Sequence, residues 1–322
     1  GANDQLLTDA FTNGLFPIQL FSNWWPGNGT TKLALFENLE RNEELYANNE
    51  QWKLWMAQNY GLSRAPVELI AHVVENDKPY TEILTANYTM VTPLTADLLN
   101  AELGDSWEQS VVYNGEYSEF HKEFKPAKNF GTFNSEPGPE VCIPVQGGDC
   151  YPSTWEPFEW PHAGVLNTMA FLQRYPTTET NRNRARARWT YKFFLGLDIE
   201  ASAARTTDAV ALADKNNPTL LNPACTVCHQ TLDPVAGAFQ NYNETGIFRI
   251  SGFTDSLPYP YKLDPESGYV NGDTWYSDMR TPGMNGQSAP DASNSLQWLA
   301  QQIVADPRFP VATVEFWWPT VM

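Results

Sequence analysis

The feature that most restricts the fold of this chain is a run of five residues, Cys225-Thr226-Val227-Cys228-His229. In this Cys-x-x-Cys-His spacing, both thiols can add to the vinyl groups of one haem while the adjacent histidine ligates its iron. The run therefore predicts one covalent haem c, attached through Cys225 and Cys228, with His229 as the proximal iron ligand. A fold that uses the motif must present these three side chains from one helical turn.

A Cys-x-x-Cys pair also occurs in thioredoxin-like redox sites and in structural zinc sites. The first kind of site lies in a βαβ pattern, and the second needs another pair of ligands nearby. The sequence around residues 225–229 shows neither feature. The surroundings of the motif therefore favour haem attachment over both alternatives.

The sixth iron ligand decides what such a haem can do, because a closed iron favours electron transfer and an open iron admits small molecules. His162 and Met169 stand seven residues apart, close to two helical turns, in a segment with a helical pattern. They would share one face of that helix. We predict His162 as the distal iron ligand, with Met169 as the alternative. His72 belongs to an apolar helix stripe, and His121 stands in a charged segment.

The remaining cysteines, Cys142 and Cys150, enclose a short segment that contains proline and glycine. In bacteria, haem c is attached on the oxidising side of the membrane, where a second pair of thiols is expected to form a disulfide. We therefore predict a disulfide between Cys142 and Cys150, and a periplasmic or extracellular location. Two free, buried thiols are the alternative.

Charge argues against one class of partner, and hydropathy argues against a membrane-spanning segment. The formal net charge of -18, from 38 acidic and 20 basic side chains, repels phosphate backbones, so nucleic acid is not an expected partner. No apolar run approaches the ~20 residues that span a bilayer, so no transmembrane segment is predicted. The first residues also lack the pattern of a signal peptide, which suggests a chain from which a leader has been removed.

Apolar periodicity divides the chain into three regions: an N-terminal helical region (1–105), a loop-rich region with the predicted disulfide (106–160) and a haem-binding, cytochrome c-like region (161–322). The pattern predicts helices over 30–39, 51–58, from Ser63 through Val73, from Thr92 to Leu103, in two stretches between His162 and Leu197, and over 293–305. Short strands are expected around 111–113. The predicted fold class is mainly α with long irregular loops and minor β, a c-type cytochrome module embedded in a larger helical domain.

Four arginines, Arg182, Arg184, Arg186 and Arg188, fall within seven residues of this acidic chain. Such a cluster is typical of a solvated helix face. The alternative is that one or two of these guanidinium groups pair with haem propionates or with Asp and Glu carboxylates.

Several segments together resemble one family: 161–166 with 171–172, 183–186, the run 225–229 with Leu232-Asp233-Pro234, 246–249, 305–309 and 316–319, and 79–80 with 86–90. They are similar to uncharacterised secreted bacterial proteins that carry planctomycete-type cytochrome c domains, a family of unknown function with a CxxCH haem motif. The resemblance implies a covalent haem and an exported location, and it names no substrate. Asp233 and Arg249 match the family pattern. We expect Asp233 to order the turn after the haem helix and Arg249 to meet a haem propionate, with a plain salt bridge as the alternative for Arg249.

The function expected from the sequence is that of an extracytoplasmic monohaem c-type cytochrome that transfers single electrons within a larger assembly. A carrier with one haem must approach another redox centre, so other redox proteins or further copies of the chain are the expected partners. The first alternative is a haem enzyme of the peroxidase or oxygenase type with an open or displaceable sixth ligand. The second is a structural assembly subunit in which the covalent haem holds loops of the chain together.

Overall fold

The computed structural model describes residues 50–98, 101–102, 123–134, 155–159, 161–177, 181–202, 206–213, 218–242, 246, 280–291 and 294–321. These residues form a mainly helical structure with small antiparallel sheets. The predicted fold class of mainly α with minor β is therefore confirmed. No helix in this part of the chain combines the length and the apolar character that crossing a bilayer requires.

The α-helices of the described residues are numbered in chain order. They are α1 (Glu50–Glu75), α2 (Glu82–Thr85), α3 (Pro93–Leu98), α4 (Met169–Arg174), α5 (Arg184–Leu195), α6 (Ile199–Ser202), α7 (Ala209–Ala213), α8 (Pro218–Leu221), α9 (Pro223–Ala238), α10 (Ser295–Ala305) and α11 (Arg308–Val321). A 3-10 helix, Gly164–Asn167, precedes α4.

The strands are β1 (Thr89–Val91), β2 (Ala101–Glu102), β3 (Lys125–Asn134), β4 (Trp155–Glu159), β5 (Gly283–Met284) and β6 (Gln287–Ser288). The first four make a sheet in which β3 pairs antiparallel with each of the other three. β5 and β6 form a separate two-stranded hairpin.

The chain divides into two compact units. Among the described residues, one unit comprises those of 50–78 and 86–164, and the other comprises those of 79–85 and 165–321. We call them the sheet unit and the helical unit. The predicted site residues are divided between them, because His162 belongs to the sheet unit whereas Met169 and the run 225–229 belong to the helical unit.

In the sheet unit, α1 runs without a break through a segment in which the sequence predicts two helices. Pro66 lies inside it and has no N–H to donate to the carbonyl of the preceding turn. Three side chains that the helix buries almost completely are Leu62, Leu69 and Val73. Packing of this face stabilises the helix across the proline, since burial outweighs local propensity in most protein helices.

Strand β3 is the largest departure of the sheet unit from the sequence prediction, which has a loop-rich region over 106–160. Its sequence contains Pro126 and Gly131, which are both unfavourable in strands. Three antiparallel partners nevertheless hold it in register. The strands expected around 111–113 lie outside the described residues.

The helical unit is built around α9, which packs against α5 and α10, while α11 packs against α5. Its core includes buried side chains from each of these helices: Leu232, Val235, Ala236, Tyr191, Phe194, Leu296, Leu299, Ile303, Phe309 and Ala312. Helix α10 matches the helix predicted over 293–305 and ends before Asp306. α11 follows after two residues, Asp306 and Pro307, and was not predicted from the sequence.

Candidate functional site

The candidate site begins at the N-terminus of α9, where local sequence explains why a helix starts. Asn222 is the N-cap residue, and its side-chain oxygen accepts a hydrogen bond of 3.0 Å from the N–H of Ala224. Pro223 takes the first helical position, where the absence of an N–H costs nothing. The helix therefore begins just before Cys225, and the run 225–229 occupies its first two turns.

Cys225, Cys228 and His229 lie on neighbouring positions of the α9 surface, because residues three and four apart share one side of an α-helix. All three are half-buried, and the two thiols are not joined by a disulfide. The geometry that the motif requires, with three side chains presented from one part of one helix, is present in the structure.

Burial changes sharply along α9. Residues 223–230 are exposed or half-buried, whereas most of residues 232–238 are buried. Val227, within the run, is 55% exposed, and Leu221, just before the helix, is 61% exposed. The motif thus lies in the exposed first half of α9, which leaves its side chains accessible, whereas the second half of the helix packs into the core.

The orientation of the His229 ring is set by Asp233, one turn further along α9. Nδ1 of His229 lies 3.0 Å from Oδ1 of Asp233. An ionised carboxylate can only accept hydrogen bonds, so Nδ1 must carry the proton and donate it. The lone pair of the neutral imidazole is then on Nε2, which is the nitrogen that a metal ion would take.

Asp233 is ionised because Arg184 holds it from the neighbouring helix α5. Nε and Nη2 of Arg184 donate to the two carboxylate oxygens at 2.7 and 3.0 Å, a bidentate arrangement. Burial of the fully enclosed carboxyl by itself raises the pKa of Asp233, but the hydrogen bonds from His229 and Arg184 outweigh burial and hold that pKa below its ordinary value. Arg184, Asp233 and His229 thus form one connected chain of charged and polar groups.

The structure corrects the role that we expected for Asp233. The sequence predicts that it orders a turn after a short haem helix, whereas α9 continues through Pro234 to Ala238. Asp233 therefore lies within the helix and faces His229. The carbonyl that Pro234 leaves without a helical donor belongs to Gln230, which is an exposed residue.

The arginine cluster is not a solvated face, which corrects the interpretation that its composition favours. Arg186 is completely buried, and the guanidinium groups of Arg184 and Arg188 each pair with a carboxylate. Arg188 binds both oxygens of Asp198 at 3.1 Å. The alternative of pairing with acidic side chains is therefore confirmed for Arg184 and Arg188.

His162 and Met169 do not share a helix, so that part of the prediction is wrong. His162 precedes the 3-10 helix, and Thr168 then caps a new helix, α4, that starts at Met169. Both side chains are buried. Burial, with a smaller contribution from the charge of Lys128, lowers the pKa of His162 to about 3, so its imidazole is neutral. The choice between His162 and Met169 as a distal ligand stays a prediction.

Three predicted site residues, Arg249, Cys142 and Cys150, lie outside the described residues. The propionate contact of Arg249 and the Cys142–Cys150 disulfide accordingly stay predictions. Among the residues that the structure does describe, no three or more His, Cys, Asp and Glu side chains form a group that could hold a metal ion.

One part of the chain matches a known protein family. Residues 162–251 match the family PSCyt3, described as a protein of unknown function (DUF1588). The match confirms the resemblance to a planctomycete-type, cytochrome c-like family over that segment. It includes His162, the arginine cluster, the run 225–229 and Asp233. No curated protein and no solved structure is significantly similar to the chain.

The sequence did not identify Asp233 as the partner of Arg184, and it gave no prediction of the contact between Asp233 and His229. A local signal for the second was present, because His229 and Asp233 are four residues apart and face each other on any helix. The first joins residues 49 positions apart, and no periodic pattern reports on such a pair.

Proposed function

We propose that the chain is an extracytoplasmic c-type cytochrome that binds one haem c and transfers single electrons. Cys225 and Cys228 would hold the haem through thioethers, and His229 would ligate its iron through Nε2. The single observation that carries the proposal is the hydrogen bond from Nδ1 of His229 to Asp233, because it fixes the tautomer and the ring orientation that an iron ligand needs.

Two further features support the fit of these residues to the group. The thiols are three positions apart on one helix and are not joined to each other, so both are free to react with the vinyl groups of one porphyrin. The name of the family that matches residues 162–251 also points to a cytochrome, although its description assigns no activity.

When bound, haem iron supplies a one-electron couple between its ferric and ferrous states. Each residue of the site then has a defined task. Cys225 and Cys228 would anchor the haem, His229 would ligate its iron, and Asp233 keeps the imidazole of His229 from rotating. Electrons would arrive from one redox protein and leave to another, or pass between copies of this chain.

A haem enzyme of the peroxidase or oxygenase type is the second candidate, and one observation favours it. A histidine that donates to a buried carboxylate is a stronger electron donor to its metal than one that donates to a neutral carbonyl. Such a ligand suits chemistry at an open sixth position. The two candidates share the same attachment site and differ in the access of small ligands to the iron.

Covalent haem attachment is tested by exporting the protein from cells that contain a cytochrome c maturation system. We expect a haem-stained band on a denaturing gel and absorption bands that change on reduction. Cys225→Ala with Cys228→Ala should abolish the stain, whereas Cys142→Ala with Cys150→Ala, the matched control, should keep it. Absence of covalent haem from the native chain, under conditions that load a reference cytochrome c, would overturn the proposal.

Carbon monoxide distinguishes the carrier from the enzyme. A carrier with a closed iron should show a low-spin spectrum and no rapid binding of carbon monoxide after reduction. Rapid binding would favour the enzyme. His162→Ala tests the predicted distal ligand in the same assay, with Met169→Leu as the parallel variant. The variant that converts the spectrum to high spin and opens the iron to carbon monoxide identifies the ligand.

A further inference from the structure

The pair formed by Arg184 and Asp233 lies directly behind the candidate iron ligand. We infer that these two residues set the reduction potential of the haem at His229, Asp233 by lowering it and Arg184 by limiting that effect. This inference rests on the proposed haem site and goes beyond it, because it assigns an electronic role to two residues that are not among the proposed haem ligands.

The side chains of Arg184, Asp233 and His229 form a largely buried, hydrogen-bonded group and not a surface contact. The Asp233 side chain is 0% exposed, the Arg184 side chain 15% and the His229 side chain 24%. Oδ1 of Asp233 accepts hydrogen bonds from His229 and from Arg184, and Oδ2 accepts a second one from Arg184. The donor–acceptor distances lie between 2.7 and 3.0 Å. Charges that are held together away from water interact far more strongly than exposed ones.

The expected sign for Asp233 follows from charge. The ferric state carries one more positive charge than the ferrous state, so a fixed anion behind the ligand stabilises the ferric state. The hydrogen bond acts in the same direction, because an imidazole that donates to a carboxylate is more basic and gives more electron density to the metal. Asp233 thus lowers the potential.

Arg184 acts in the opposite direction. Its guanidinium group draws charge from the carboxylate through two hydrogen bonds and adds a positive charge on the far side of Asp233. Removing Arg184 should therefore lower the potential further, whereas neutralising Asp233 should raise it. A pair that served only to hold α5 against α9 would give no such opposition of sign.

The same helix offers a matched control. Arg188, one turn after Arg184 on α5, makes a similar bidentate pair with Asp198. The Arg188 side chain is 28% exposed and the Asp198 side chain 21%. Asp198 precedes α6 and has no hydrogen bond to His229 among the described contacts. Arg188→Gln and Asp198→Asn remove the same chemical groups from a pair that does not contact the ligand.

The test is a spectroscopic redox titration of the haem-loaded protein at pH 8, where the carboxyl of Asp233 stays ionised. For Asp233→Asn we expect at least a tenfold rise in the ratio of reduced to oxidised haem at a fixed potential, which corresponds to an upward shift of about 59 mV. For Arg184→Gln we expect a downward shift. Arg184→Lys, which keeps the charge, should stay close to the native potential, as should both control variants.

Opposite shifts for Asp233→Asn and Arg184→Gln support the inference. Shifts in the same direction, or potentials equal to those of the control variants, overturn it. If Asp233→Asn does not fold, the comparison of Arg184→Gln with Arg184→Lys decides alone: equal potentials contradict the inference. A native protein without covalent haem or without a reversible couple would instead contradict the proposed function, so the two failures are distinct.

Discussion

Arg186 donates a hydrogen bond of 2.9 Å from Nη1 to the backbone carbonyl of Tyr242, 56 residues further along the chain. The same guanidinium group donates to the carbonyls of Leu172 and Tyr175 and to the side-chain oxygen of Asn183. It is completely buried. One side chain thereby joins the C-terminal end of α4, the start of α5 and the segment after α9, which fixes the frame that holds the candidate site.

Replacing Arg186 should unfold the helical unit at markedly lower denaturant. Arg186→Met fills part of the volume but leaves three buried carbonyls without their donor, each worth about 1–3 kcal/mol. We expect a loss of about 3 kcal/mol or more in the free energy of unfolding, measured by circular dichroism in urea on the purified protein. Arg188→Met, on the same helix but half-exposed, should cost under about 1 kcal/mol. Equal losses for the two variants would contradict the role of Arg186.

Gly246 tests how tightly the segment after α9 packs onto α4. Its φ is 82°, and a Cβ there would lie 3.0 Å from Cβ of Leu172. Gly286, in the β5–β6 hairpin, has a similar φ of 79° but no atom within 4 Å of a Cβ. Both Ala variants incur backbone strain of about 1–2 kcal/mol, and only Gly246→Ala adds a clash.

We therefore expect Gly246→Ala to lower the melting temperature more than Gly286→Ala, by the equivalent of a further ~1–2 kcal/mol. Thermal unfolding followed by circular dichroism gives the comparison. Identical melting temperatures would show that the segment yields to the added methyl group.

The N-cap of α9 can be tested in the same way. Asn222→Ala removes the acceptor for the N–H of Ala224, so it should destabilise the start of α9 by about 1 kcal/mol. Asn222→Asp retains an oxygen acceptor and adds a charge that the helix N-terminus favours, and it should be neutral or slightly stabilising. Hydrogen exchange of the amides in the first turn of α9 reports the local effect; equal exchange in both variants would count against capping.

Local patterns in the sequence predicted the first turn of α9 and the position of α10, but not the full length of α9. The Cys-x-x-Cys-His spacing predicted that three side chains share one helical turn, and the structure places them in α9. Periodicity also located α10 to within two residues at its start. These features depend on neighbours along the chain, which is the information that a single sequence contains.

The features that the sequence did not predict depend on contacts between distant segments. Proline favours the first turn of a helix, so Pro66 locally indicates a helix start. Packing nevertheless allows α1 to continue through Pro66 without a break. Arginines in a row indicate a solvated face, yet Arg186 is enclosed by carbonyls from segments 11 to 56 residues away. Continuous helical periodicity across His162 and Met169 concealed the cap at Thr168, whose side chain accepts a hydrogen bond from the N–H of Phe171. In each case, tertiary structure outweighs local preference.

Asp306 gives a prediction about acid stability that is independent of the candidate site. It joins α10 to α11: its Oδ1 accepts a hydrogen bond of 2.9 Å from the N–H of Arg308, and its Oδ2 lies 2.7 Å from the Arg308 guanidinium. The hydrogen bond from the Arg308 side chain is the main cause that holds the pKa of Asp306 well below its ordinary value of 3.8, with a further contribution from Asn285.

Because the pKa is lower in the folded state than in the unfolded chain, the ionised carboxyl of Asp306 stabilises the fold fully at neutral pH. This contribution falls as the pH drops below the ordinary value of 3.8 and disappears as it passes through the folded-state pKa. Asp306→Asn keeps an acceptor for the N–H of Arg308 and removes the charge. We expect it to cost about 1 kcal/mol at pH 7, since Arg308 is partly exposed. The difference from the native protein should shrink between pH 4 and pH 2, measured by urea unfolding at each pH; a difference that stays constant with pH would show that the charge of Asp306 does not stabilise the junction of α10 and α11.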